Sequence, residues 1–154
     1  MNKKFFSLAA FALITLGAQA KVKLPHILGD NMVIQQNSEA NLWGWDKPGT
    51  EVKVTTSWSS QKYSVKTGKD GKWAVKVLTP KASYTPLSIT FDDGDQTTLN
   101  NILAGEVWVC AGQSNMEMPV KGFGNCPVKG YNKAVVRANQ YKGCLLYTSP
   151  SPRD

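Results

Sequence analysis

Ser114 stands in the run Val107-Trp108-Val109-Cys110-Ala111-Gly112-Gln113-Ser114-Asn115-Met116, where an apolar stretch stops at glycine, glutamine, serine and asparagine. A serine at such a break is placed to be the nucleophile of an acyl-transfer reaction. The apolar stretch reads as a strand buried on both faces of a parallel sheet. A glycine at its end permits a sharp turn, which would hold the hydroxyl at the sheet's carboxyl edge, where open α/β sheets bind ligands. Gly112 would leave room for a substrate carbonyl, and a backbone N–H after the turn would help to stabilise an oxyanion. Gln113 and Asn115 are candidates to hydrogen-bond the substrate or, equally, to brace the turn. Gly-Gln-Ser-Asn-Met lacks the second glycine of the G-x-S-x-G nucleophile elbow, so the block is not an ordinary α/β-hydrolase motif.

A serine hydroxyl attacks a carbonyl only when a base takes its proton. The sequence contains one histidine, His26, in the opening segment and far from Ser114 along the chain; it reads as a structural residue rather than a general base. Glu106 and Glu117 form a tempting carboxylate pair. They stand at opposite ends of the strand-turn unit, however, and glycosidase chemistry needs two carboxylates flanking one bond. Met116 and Met118 read as packing residues. Trp43, Trp45 and Trp58 would suit a sugar-stacking platform, but their place in strands and their large apolar area favour a core role. Cys110, inside the apolar run, reads as a small buried hydrophobe, and Cys126 follows a glycine-rich loop. Sequence spacing does not decide whether the two pair, and neither belongs to a CxxC or Cys/His cluster, so no metal site is expected.

The elements that must position Ser114 occupy only part of the 154 residues. Residues 1–20 have the three parts of a secretory signal peptide: Lys3 and Lys4, an apolar run from Phe5 to Leu16, and the small-x-small site Ala18-Gln19-Ala20. This run is short for a membrane span, so an exported protein, periplasmic or extracellular, with no stable membrane insertion after cleavage is expected. Residues 144–154, ending Ser149-Pro150-Ser151-Pro152-Arg153-Asp154, have no periodicity and resemble translated sequencing-adapter DNA, so they are set outside the folded protein. The domain is then expected to be truncated. Of 18 Lys and Arg, removing Lys3, Lys4 and Arg153 leaves 15; of 11 Asp and Glu, removing Asp154 leaves 10, a net charge of +5. The excess is scattered, with Lys53, Lys62, Lys66, Lys69, Lys72 and Lys76 among strand-like residues. That is the pattern of a solvated sheet face and argues against a nucleic-acid partner.

Period-two alternation recurs at 41–45, 51–58, 62–67, 73–78, 87–91 and 97–103. Turn signals separate the runs at Lys47-Pro48-Gly49, Lys69-Asp70-Gly71-Lys72 and Asp92-Asp93-Gly94-Asp95. Short strands at this spacing predict an antiparallel β-sandwich over 21–103. From 104 to 143 the character changes to α/β: the strand 107–110, the serine block, a loop over 122–130 and a helix over 131–141 with Ala134, Val135 and Ala138 on one side. Forty such residues would bury too little apolar surface to fold alone.

The block Gly105-Glu106-Val107-Trp108-Val109-Cys110-Ala111-Gly112-Gln113-Ser114-Asn115-Met116-Glu117 resembles the first block of the SGNH hydrolases in the sialate O-acetylesterase family. Many other SGNH enzymes have Asp at the position of Gln113. The segment from Leu24 to Gln36 resembles the opening of mature family members, and Trp43-Gly44-Trp45 with Pro48-Gly49-Thr50-Glu51-Val52 resembles their first sandwich strands. The resemblance implies an N-terminal antiparallel β-sandwich followed by the start of an α/β SGNH (flavodoxin-like) hydrolase domain, truncated here. It assigns the nucleophile to Ser114, with Gly112, Gln113 and Asn115 supporting oxyanion or substrate. It also implies an acetylated carbohydrate substrate and no cofactor or metal. In the family the base comes from a later Asp-x-x-His, which this sequence lacks, as it lacks the later oxyanion glycine and asparagine. The expected function is that of a secreted carbohydrate esterase removing O-acetyl groups from sialic acid or related sugars, present as a segment inactive by itself. The alternative is a non-catalytic carbohydrate-binding β-sandwich module. The sequence does not indicate the oligomeric state.

Overall fold

The computed structural model describes residues 21–144. The leader expected over 1–20 and the tail beyond Cys144 lie outside the described residues. The chain divides into two compact units, residues 1–107 and 108–154.

The first unit is built from alternating strands. In β3 (Glu51–Thr56) every second residue is buried, and Val52 and Val54 have no exposed surface; one face of the strand is apolar and the other is charged or hydroxylated, as period-two alternation requires. β3 pairs on one side with β4 (Ser59–Lys66) and on the other with β6 (Ser83–Asp92), both antiparallel. β6 continues antiparallel into β7 (Gln96–Gly105), and β1 (Val33–Gln35) lies parallel to β7 with Val33 opposite Leu103. The result is a curled five-stranded sheet in the order β1-β7-β6-β3-β4. β2 (Glu39–Trp45) and β5 (Lys72–Leu78) form a separate antiparallel pair with Trp43 opposite Ala74 and Trp45 opposite Lys72. The turn into β5 closes where expected: Gly71 takes a left-handed φ of 74° and the Asp70 carboxylate accepts the Lys72 N–H at 3.2 Å. That backbone region favours glycine, and a short aspartate side chain can replace a missing turn bond.

Inward residues of both sheets meet in one core, in which Leu42, Val52, Val54, Val77, Ile89, Phe91 and Ile102 are fully buried. Trp73 of β5 packs on Phe91 of β6 with ring centroids 5.6 Å apart and planes tilted by 49°, a geometry favourable to aromatic pairs. The Trp58 indole N–H donates to the Leu78 carbonyl at 2.9 Å, and the Tyr63 hydroxyl accepts the Leu78 N–H at 3.1 Å. These bonds tie the β3–β4 hairpin to the end of β5. All six lysines assigned to solvated faces are exposed.

Several expectations are corrected. The fold is mostly β with a curled five-stranded sheet and two short helices, not an antiparallel sandwich followed by the start of a separate α/β domain. Alternation marks which strands exist and which face is apolar; it does not mark partners, and the parallel β1–β7 pair breaks the antiparallel pattern. The strand expected over 107–110 is also absent. Those residues have no regular structure, with Trp108 82% and Val109 91% exposed. A continuous apolar run becomes a strand only when neighbouring strands take up its N–H and C=O groups, and among the described residues none pairs with this one. Cys110 is consequently exposed rather than buried.

The second unit contains α1 (Ser114–Glu117), a two-residue hairpin of β8 (Gly122–Phe123) with β9 (Cys126–Pro127), and α2 (Tyr131–Ala138). The helix expected over 131–141 thus ends at Ala138. No helix among the described residues is long and apolar enough to cross a membrane.

Candidate functional site

Where the chain leaves β7 it is held by side chains of β1 and the residue after it. Gln35 and Gln36 donate amide N–H groups to the two oxygens of Glu106 at 3.0 and 2.6 Å, and the Gln35 amide oxygen accepts the Val107 N–H at 2.8 Å. The Gln36 oxygen in turn accepts the Ala82 N–H at 2.8 Å. Hydrogen bonds from Gln35 first, then Gln36, hold the Glu106 carboxyl below its ordinary range, because donors aimed at a carboxylate favour its charged form. Its hydrogen bonds make Glu106 an anchor for the parallel β1–β7 edge. Sequence reasoning weighed Glu106 only as half of a carboxylate pair; the adjacent glutamines Gln35-Gln36 were the available signal.

Ser114 is the first residue of α1, an exposed single turn preceded by Gln113 with φ −116° and ψ −129°. The Met116 N–H donates to the Gln113 carbonyl at 2.9 Å, which closes the turn. Gly112 allows that closure: a Cβ there would lie 2.7 Å from Cγ of Met116, too near for two carbons. Met116 therefore packs against Gly112, although it remains 52% exposed. Gly112, Gln113, Ser114 and Asn115 are brought together in sequence order on this one turn, all exposed. Among the described residues the Ser114 hydroxyl has no hydrogen-bond partner. His26, the single histidine, is an exposed turn residue of the first unit.

Cys110, Cys126 and Cys144 are free and exposed. Among the described residues no group of three or more His, Cys, Asp or Glu side chains could hold a metal ion.

The tryptophans divide between the core and an outer face. Trp58 packs partly buried against the core and Trp73 is buried within it. Trp43 and Trp45 instead sit on the outer face of the β2–β5 pair, each 38% exposed, beside an open cleft of about 480 Å³. The core role expected for these two is thus corrected. Alternation along β2 turns Leu42 and Gly44 inward, so Trp43 and Trp45 must face out.

No protein-family model matches the chain. It is 30% identical over 123 residues to the sialate O-acetylesterase of Rattus norvegicus, covering 73% of this chain and 22% of that protein. It is 34% identical over 135 residues to the sialate O-acetylesterase of Pongo abelii, covering 80% of this chain and 25% of that protein. Among solved structures, a carbohydrate acetylesterase from Xanthomonas citri superposes with a TM-score of 0.57 at 27% identity, covering 75% of this chain and 25% of that one. The chain is thus homologous, at low identity, to sialate O-acetylesterases and a carbohydrate acetylesterase, and spans about a quarter of their length. A stretch covering 80% of 154 residues necessarily includes Ser114.

Proposed function

We propose that the chain supplies the nucleophile segment of an exported carbohydrate esterase that removes O-acetyl groups from sialic acid or related sugars. The observation that supports this reading most directly is the homology to a sialate O-acetylesterase across the segment that contains Gly112, Gln113, Ser114 and Asn115. In the proposed reaction Ser114 Oγ attacks the acetyl carbonyl carbon and its proton passes to a general base. The carbonyl oxygen becomes an oxyanion, held by backbone N–H groups and by the amides of Gln113 and Asn115. Collapse breaks the bond to the sugar oxygen, which leaves with the proton, and water then cleaves the acetyl-serine to acetate.

The general base is the part that this sequence does not supply: its one histidine is His26 of the first unit. Serine hydrolases stripped of the base lose about a millionfold in turnover, so this chain alone should release acetate from an O-acetylated sialoside at the background rate. The reading is tested by sequencing the gene across the codons for Gly143 and Cys144 and expressing the frame that follows. Acetate release is then compared with that of Ser114→Ala. The exported product should begin at Lys21, and Ser114→Ala should lower turnover by roughly four to six orders of magnitude. Equal rates for both proteins would remove Ser114 from the chemistry.

A further inference from the structure

The outer face of β2 is ordered in rows that the strand register makes explicit. Lys23 and Trp45 exchange both backbone hydrogen bonds, Lys23 N–H to the Trp45 carbonyl at 2.9 Å and Trp45 N–H to the Lys23 carbonyl at 2.8 Å. On its other edge Trp45 is directly opposite Lys72. Directly opposed residues of antiparallel strands project to the same face, so Lys23, Trp45 and Lys72 form one row with a cation on each side of an indole. Two residues along β2, about 7 Å away, Trp43 lies opposite Ala74, whose small side chain leaves that indole open on one side. Lys76, in the next row, is paired to Glu39 at 3.1 Å. Among the described residues Lys23 and Lys72 have no such ion-pair partner. Asp70 also lines the cleft, and its Oδ1 accepts the Lys72 backbone N–H at 3.2 Å.

We propose that this face binds an anionic saccharide, with sugar rings lying on Trp43 and Trp45 and the sugar carboxylate between the ammonium groups of Lys23 and Lys72. Two chemical features of the face select that ligand. The indoles are apolar surfaces that the fold leaves in solvent, suited to the C–H face of a pyranose ring, and indole is amphipathic enough to remain there at little cost. The unpaired lysines supply positive charge beside an indole, complementary to a carboxylate, and charge-assisted hydrogen bonds are the stronger ones. A neutral sugar would use the indoles and leave the lysines idle. Every residue of this face belongs to the first unit. The choice of a sugar acid rests on the proposed substrate class; the arrangement of the face does not.

The test is a two-dimensional ¹H–¹⁵N spectrum of the full chain titrated with the methyl glycoside of N-acetylneuraminic acid, read at the five tryptophan indole signals. The Trp43 and Trp45 signals should move at millimolar ligand, the range of weak single-sugar binding, while that of Trp58, which does not line the cleft, stays. Lys23→Gln with Lys72→Gln should weaken binding by about tenfold, as expected for loss of charge-assisted hydrogen bonds. N-acetylmannosamine, which is neutral, should bind the wild type as weakly as the acid binds that variant. Unmoved Trp43 and Trp45 signals would overturn the proposal, and so would equal binding of the neutral and acidic sugars. Ser114→Ala should leave the shifts intact. Binding lost while Ser114-dependent acetate release persists would sink this inference alone; the reverse pattern would sink only the esterase reading.

Discussion

The two units of this chain treat the same kind of residue in opposite ways. In the first, Val52, Val54, Phe91 and Ile102 are entirely buried; in the second, Trp108, Val109 and Val120 are 82%, 91% and 61% exposed. The sequence stretches look alike, since both are apolar β-formers beside turn residues. The difference lies in partners. Each apolar strand of the first unit has a neighbour to complete its ladder and a shared core to cover its face, whereas the run at 107–110 has neither among the described residues. Apolar patterning supplies a driving force, and burial of that surface requires a second surface to meet it.

The largest expected effect follows from that contrast. Phe91→Ala removes a fully buried ring that packs on Trp73 and should cost about 3–5 kcal/mol through lost transfer energy and the cavity left behind. Val109→Ala, at a residue 91% exposed, should change stability by no more than about 0.5 kcal/mol. Thermal unfolding of the two variants beside the wild type decides it. In a domain of this size each kcal/mol moves Tm by roughly 4–8 °C. If Val109→Ala proved as costly as Phe91→Ala, the 107–110 run would have to be buried in solution, and the contrast between the units would collapse.

A smaller effect sharpens the comparison inside the first unit. Gly44 is the inward residue between Trp43 and Trp45; a Cβ there would collide with the Lys23 carbonyl and stand 2.9 Å from Cζ2 of Trp73. The glycine lets the Trp73 ring lie against the strand and lets Lys23 bond to Trp45. Gly44→Ala should therefore cost about 1–3 kcal/mol, as overpacking does. It should also disturb the outer Lys23–Trp45–Lys72 row, visible as changed Trp45 indole shifts without ligand. An unchanged Tm would mean that the Lys23 segment is free to move away, and with it one of the two cations.

The strands of the first unit were legible because each announces itself locally: Glu51-Val52-Lys53-Val54 alternates, and Asp70-Gly71 supplies the only chemistry that its turn needs. Their pairing was not legible, since the parallel bond of Val33 to Leu103 joins residues far apart in sequence and nothing in either segment names the other. Orientation of the tryptophans was readable in principle. Leu42 and Gly44 inward forces Trp43 and Trp45 outward, against the tendency of a large apolar ring to be buried. At the serine block the break at Gly112-Gln113 was readable and corresponds to the turn closed by Met116. The lack of a strand before it was not legible, because a continuous apolar run has no periodicity to distinguish a paired strand from an unpaired segment. The Glu106 clamp was hidden for the reason that hid β1, since its donors Gln35 and Gln36 are about seventy residues away in sequence.

The smallest effect concerns charge, and it too belongs to the first unit. Asp46, just after β2, has its carboxyl raised above the ordinary range, by burial first and also by the nearby Asp93, against the pull of the Lys47 N–H that donates to its Oδ1 at 2.6 Å. Asp93 is 8% exposed, and among the described residues Oδ2 of both aspartates is buried without a hydrogen-bond partner. A raised folded-state value means that folding favours the protonated acid. This contribution is fully present below the unfolded value near 3.8 and is lost as pH rises through the folded value. At neutral pH Asp46 is thus a small liability. Asp46→Asn keeps an oxygen for the Lys47 N–H and offers an amide donor towards Asp93, so it should raise Tm at pH 7 by a few degrees at most, equivalent to under about 1 kcal/mol. The gain should vanish at about pH 3, where the wild-type acid is itself protonated. Asp92 works in the opposite sense, since the Gly94 N–H and then Gln96 lower its carboxyl, and its favourable contribution fades as pH falls through that lowered value. A gain for Asp46→Asn that persisted in acid would come from the new amide bond alone and would remove the aspartate pair as a source of the first unit's pH dependence.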